Sequence, residues 1–204
     1  MPIAATLRRS LPFAFMALIA CDGATPGVGQ ASGLHETPVL HGALKGAAPQ
    51  GYCIDPKASV AHGDAITVLM GRCTAGGGVA AAMVSITIGP PASAGVLVAG
   101  PDALAQFFTS TAGRKVLARD GVAGHVVVLQ AKVDGDSLLL HVNDQTAGEY
   151  WRAITAIKGR LVTISASGVE EAPLTPDQGL KLVRDELRLL NKRNPDKVLP
   201  ASKA

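Results

Sequence analysis

The chain reads as an α+β domain: a mostly antiparallel sheet with an internal helix and a long C-terminal helix packed on it. Three observations predict this. Runs with strand periodicity outnumber runs with helical periodicity. The clearest turns between strands are hairpins, not crossover helices. Two segments carry helix start signals.

Taken in order, Tyr52-Cys53-Ile54-Asp55 predicts a short strand stopped at Pro56, followed by a polar turn over 57–64. The run from Ala65 to Cys73 is rich in β-branched residues and predicts a second strand. After Gly76-Gly77-Gly78, the stretch Met83 to Ile88 alternates with period two and stops at Pro90-Pro91. Pro101 to Phe108 predicts the internal helix. Proline suits a first turn, Asp102 faces the positive helix end, and Leu104, Phe107 and Phe108 share one side, with Gly113 as the stop. Further strands are expected over 115–118, 125–133, 137–143, 149–157 and 160–166. Asp134-Gly135 and Lys158-Gly159 are read as hairpin turns between them. Thr175-Pro176-Asp177-Gln178 supplies an N-cap, a first-turn proline and a capping-box glutamine. A long helix with the stripe Leu180, Val183, Leu187 and Leu190 should follow and end at Asn194-Pro195.

The residues before this domain specify an address. Arg8 and Arg9 form a basic start, residues 11–20 are apolar, and Leu18-Ile19-Ala20-Cys21 closes the segment. A simple secretory cut wants small residues at both −1 and −3, yet Leu18 is bulky. The last four residues resemble the lipobox of bacterial lipoproteins. That resemblance implies cleavage after residue 20 and a lipid on the Cys21 thiol. A retained membrane anchor would need roughly 20 apolar residues, about twice what is present, and Pro12 interrupts it. Residues 21–50 are rich in Gly, Ala, Pro and Ser, which predicts a flexible tether. The expected organisation is therefore a signal over 1–20, a tether over 21–50, a domain over 51–194 and a disordered tail over 195–204.

Cysteine counting agrees with export. With Cys21 lipidated, Cys53 and Cys73 remain. In an oxidising compartment they would bridge; the alternative is two buried free thiols. Removing the signal takes away two arginines and no acid, so a formal charge of +3 falls to +1. Such a balance, with aromatics at 3%, argues against a nucleic-acid partner.

Catalytic motifs are weak. The chain has no G-x-S-x-G elbow, and Ser85, Ser165 and Ser167 read as ordinary sheet serines. The glycine run at 76–78 lacks the lysine of a phosphate-binding loop. His125 and His141 flank the Asp134-Gly135 hairpin with Asp144 near the second, which makes a metal or acid/base site conceivable there. No cofactor-binding motif and no metal-ligand spacing is evident. The cationic side of the last helix (Lys181, Arg184, Arg188, Lys192 and Arg193) could add weak attraction to an anionic leaflet.

Two resemblances complete the reading. Gly51-Tyr52-Cys53-Ile54-Asp55 with Gly71-Arg72-Cys73 is similar to a group of uncharacterised exported bacterial proteins. The order of elements from Tyr52 to Asn191, with Tyr150-Trp151-Arg152-Ala153 and the closing Leu-rich helix, resembles PsbP-like sandwich domains. That resemblance implies a binding or assembly role and transfers no site residue. The expectation is a membrane-anchored envelope lipoprotein, held by its N-terminal lipid and facing the periplasm, that binds or helps assemble another envelope component such as an envelope protein; a plain secreted soluble protein is a further reading. The alternative is an envelope hydrolase or metal-dependent enzyme using His125, His141 and Asp144.

Overall fold

Residues 33–74 and 78–195 are described by a computed structural model. Cys21, the signal segment, the first part of the expected tether, Gly76, Gly77 and residues 196–204 lie outside the described residues. The strands are β1 (Glu36–Val39), β2 (Leu44–Ala47), β3 (Tyr52–His62), β4 (Ala65–Arg72) and β5 (Ala82–Ile88), then β6 (Val126–Asp134), β7 (Ser137–Asp144), β8 (Gly148–Ile157) and β9 (Arg160–Gly168). The helices are α1 (Gly100–Thr109), α2 (Thr111–Leu117) and α3 (Pro176–Arg193).

Seven strands make one antiparallel sheet in the order β3-β4-β5-β9-β8-β7-β6. Period-two alternation builds its core. Val84, Ile86 and Ile88 of β5 stand opposite Ala166, Ile164 and Val162 of β9, and all six are buried. Each large aliphatic side chain removed from water in this way contributes about 1.5–3 kcal/mol. That face carries α3, whose Val183, Leu187 and Leu190 pack into the same cluster as Trp151 and Leu139. The opposite face is covered by α1 and α2 at its β6–β8 end, with Leu97 of a 3-10 turn (Ser93–Leu97) and Leu161 of β9 packed against the same cluster. There Phe108 of α1 and Leu117 of α2 pack on Leu138, Leu140 and Val142. Helices on both faces of a mostly antiparallel sheet give the α+β class.

Thr175 caps α3 as a full capping box: its hydroxyl accepts from the Gln178 N–H, and the Gln178 side chain accepts from the Thr175 N–H. The buried side of α3 also holds Gly179, Leu182 and Glu186, while Leu180 is only partly buried. Among its cationic residues, Lys181 and Arg188 pair with Asp185, Arg184 with Asp134 and Arg193 with Glu36. Most of that charge is neutralised within the domain. No helix among the described residues is long and apolar enough to cross a membrane.

Four expectations need correction. The tether over 21–50 does not extend through its second half, because β1 and β2 form a hairpin with Val39 and Leu44 in the main core. Its turn places Leu40, His41 and Gly42 at positive φ, and strands of four residues are too short to show alternation. Of the turn expected over 57–64 only 63–64 turn; residues 57–62 continue β3 past Pro56 through a register shift between Asp55 and Val60. The Asp55 carboxylate accepts from the N–H groups of Lys57 and Ala58, and Ser59 Oγ accepts from the Leu69 N–H. A bulge there tolerates a proline that cannot donate. The strand at 115–118 is helix α2, capped by Ser110 Oγ accepting from the Gly113 N–H. His125 lies in a 3-10 turn (Ala123–His125) and not on a strand.

Candidate functional site on the open face of the sheet

The end of the second sheet face that α1 and α2 leave uncovered forms a cleft of about 430 Å3. Its floor is set by strand register. Tyr150 and Arg152 of β8 stand opposite Ser167 and Ser165 of β9, which stand opposite Met83 and Ser85 of β5. Its wall is the end of α2 and the residues after it, Val116 to Arg119, with Asp144 and Ala147 closing one side.

Arg152 is the chemically distinctive group. It stands two residues from each of the buried Tyr150 and Ile154 on β8, so its side chain leaves the sheet on the same face as theirs. Its Nε donates to Ser165 Oγ at 2.9 Å, and its guanidinium carbon lies 5.0 Å from the centre of the Tyr150 ring. No carboxylate among the described residues forms an ion pair with it. A half-buried guanidinium held against a ring and by one hydroxyl keeps donors free for a planar anion.

Asp144, which lines the same cleft, forms no ion pair with it. The Asp144 carboxylate is almost fully buried and accepts from the N–H groups of Arg119, Thr146 and Ala147 and from the Thr146 hydroxyl. Burial alone would raise this carboxyl. The converging donors outweigh it and hold the group below the usual carboxylate range. Burial pushes the Tyr150 phenol up, so the ring under Arg152 stays neutral. Met83 and Val116, both largely exposed, add apolar surface at the cleft. The arrangement suits one acidic group with apolar surroundings.

The three residues expected as an acid/base or metal set do not meet. His141 stands opposite Trp151 on the face that carries α3, whereas Asp144 belongs to the other face three residues along the same strand. His141 is stacked on Trp151, with centroids 4.6 Å apart and planes 1° from parallel, and its Nε2 bonds Glu149 Oε1 at 2.6 Å. His125 Nδ1 bonds Asp120 Oδ2 at 2.6 Å, a contact that holds the exposed Asp120 carboxyl below its ordinary range. Each histidine thus has its own acid, Glu149 on the neighbouring strand β8 for His141 and Asp120 just before the 3-10 turn for His125.

Cys53 and Cys73 are joined by a disulfide with Cα atoms 4.9 Å apart, linking the start of β3 to the residue after β4. A bond of this kind belongs to an oxidising, extracytoplasmic compartment. Arg152, Ser165 and Ser167 were not singled out as site residues by sequence. The usable signal was a charged residue in period-two phase with Tyr150 and Ile154.

No protein-family model matches this chain, and no curated protein matches it. Solved structures similar to it include a single-residue mutant of protein Mog1, at 12% identity and TM-score 0.42, over 78% of this chain and 91% of that one. They also include the solution structure of cyanobacterial PsbP (CyanoP) from Synechocystis sp. PCC 6803, at 16% identity and TM-score 0.41, over 84% of this chain and 96% of that one.

Proposed function

We propose that the chain is a lipid-anchored, extracytoplasmic binding module that holds an envelope protein through the cleft around Arg152. The observation that carries this reading is the guanidinium of Arg152, without an ion-pair partner among the described residues, in a cleft lined by Ser165, Ser167 and Tyr150. A carboxylate from a partner's Asp or Glu side chain would complete the pair, and charge-assisted hydrogen bonds of this type are the stronger ones. The segment ending at Cys21 supports the anchor, and the disulfide supports the compartment. Partner and domain would then share one membrane surface, which raises their effective concentration and lets a small contact suffice.

A photo-crosslinking side chain in place of Val116, at the rim of the cleft, tests this in intact envelopes. A discrete adduct is expected, lost when Arg152→Glu is added and largely kept with Arg152→Lys. An adduct indifferent to Arg152→Glu, or none, overturns the reading. Mass spectrometry of the mature N-terminus tests the anchor separately: a diacylglyceryl group on Cys21 is expected, and an unmodified start elsewhere refutes it.

A further inference from the structure

Beside the disulfide stands a third side chain with a metal-ligand atom. A ring nitrogen of His35 and the sulfurs of Cys53 and Cys73 all lie within 4.8 Å of one another. We propose that reduction of the Cys53–Cys73 bond converts this corner of the fold into a site for copper(I), with His35 as its third ligand.

The geometry is held by backbone contacts that do not depend on the sulfur bond. Cys53 stands opposite Gly71 in the β3–β4 ladder, and the Cys73 N–H donates to the Gly51 carbonyl at 3.1 Å. The Ala48 N–H donates to the His35 carbonyl at 2.8 Å, and the Ile54 N–H to the Leu34 carbonyl at 2.8 Å. Opening the disulfide therefore leaves two thiols facing each other and not two free ends. The imidazole is oriented as well. His35 Nδ1 lies 3.1 Å from the Tyr52 carbonyl, which can only accept, so Nδ1 carries the proton and Nε2 keeps its lone pair. A backbone carbonyl bonded to one ring nitrogen is the usual outer support of a histidine ligand.

Ion choice follows from the donor set. Two thiolates and one imidazole are soft to intermediate donors, which favour copper(I). They fall one short of the four ligands of a structural zinc site. Access is open, since His35 is exposed and Cys73 is partly so, while Cys53 closes the inner side. The step balances with a thiol reductant. Two R–SH groups reduce the bond, forming R–S–S–R and two protein thiols; copper(I) then displaces both thiol protons.

The test uses the full chain in detergent, oxidised or reduced with a water-soluble phosphine, and copper(I) supplied from a chromogenic chelator without oxygen. The reduced chain is expected to take one copper(I) at least about 100-fold more tightly than the oxidised chain. His35→Ala should weaken the reduced site at least about tenfold while leaving the oxidised fold unchanged. Equal affinity in reduced His35→Ala, or no binding by the reduced chain, overturns the proposal. So does a bond that no reductant opens without denaturant. If reduction loosens the fold, far-UV circular dichroism decides: copper(I) must restore the spectrum of the wild type and not that of His35→Ala. Failure of that recovery also sinks the idea. None of these results bears on the Arg152 cleft, which lies on different strands.

Discussion

Asn194 clasps the backbone of Lys45 in both directions: its Oδ1 accepts from the Lys45 N–H at 2.8 Å, and its Nδ2 donates to the Lys45 carbonyl at 2.9 Å. One amide side chain at the end of α3 thereby completes the open side of β2, 149 residues away in the chain. The same Nδ2 also donates to the Leu190 carbonyl, closing the helix end.

Asn194→Ala removes these bonds while leaving Lys45 and Leu190 groups to find water. The expected loss is roughly 1.5–4.5 kcal/mol, at 0.5–1.5 kcal/mol for each of the three hydrogen bonds. The β1–β2 hairpin should loosen first. Hydrogen exchange of the amides over 36–47 is expected to accelerate well before the central strands open. Unchanged protection there would mean that Val39 and Leu44 hold the hairpin without the clasp.

This clasp also shows what could be read from the chain and what could not. Strands β4, β5 and β7 to β9 and the capped start of α3 announce themselves by alternation, hairpin turns and the Thr175 box, which are local signals. The β1–β2 hairpin depends on Asn194 and on burial of Val39 and Leu44 under α3, and no window around residue 40 contains that information. Helix α2 was hidden for a similar reason. Gly113 resembles a stop, yet it is the one residue that fits against Phe107 and Phe108 at the junction of the two helices. The candidate site was half legible. Tyr150 and Arg152 share a face by period, but which end of that face stays uncovered depends on where α1 and α2 pack.

The Gly113 position makes a sharp prediction. A Cβ there would stand 2.0 Å from the Phe107 carbonyl oxygen and 2.5 Å from the Phe108 Cα, both backbone atoms that cannot rotate away. Gly113→Ala should therefore cost more than about 3 kcal/mol, at the upper end of overpacking effects. Urea unfolding monitored by circular dichroism measures this, and a neutral substitution would mean that α2 pivots freely on Ser110.

Gly179→Ala is milder because its obstacle is a side chain. The added Cβ would lie 2.6 Å from Trp151 Cδ1, so either the indole moves or α3 lifts. Trp151 is wedged against His141 and has little room. A loss of about 1–3 kcal/mol is expected, with a changed fluorescence maximum from the chain's single tryptophan. Stability lost without any spectral change would place the strain elsewhere.

Removing the bridge with Cys53→Ala and Cys73→Ala together frees a loop of sequence separation 20. The chain-entropy model assigns such a loop roughly 3 kcal/mol. The midpoint of chemical unfolding should fall accordingly, with the β3–β4 pairing still present below it. A double variant as stable as the wild type would show that the ladder and the Gly51 contact already confine both residues in the unfolded chain.

Glu186 gives the strongest pH dependence. It is wholly buried on the side of α3 that carries Val183, Leu187 and Leu190, and neither carboxylate oxygen has a hydrogen-bond partner among the described residues. Burial pushes its carboxyl up to about 8 from an ordinary 4.5. Below 4.5 the group is neutral whether the chain is folded or not, and burial carries no charge penalty. Between that value and about 8 the folded chain keeps a proton that the unfolded chain releases, so stability falls as pH rises. Above about 8 the loss is complete, at about 3–5 kcal/mol. Glu186→Leu, similar in size and without polar atoms, should abolish this dependence. Its gain over the wild type should be largest at alkaline pH and shrink toward pH about 4.5, where both carboxyl states converge. Unfolding midpoints of the two chains across that range measure the difference directly. Parallel curves would mean that water reaches the Glu186 carboxylate beneath α3.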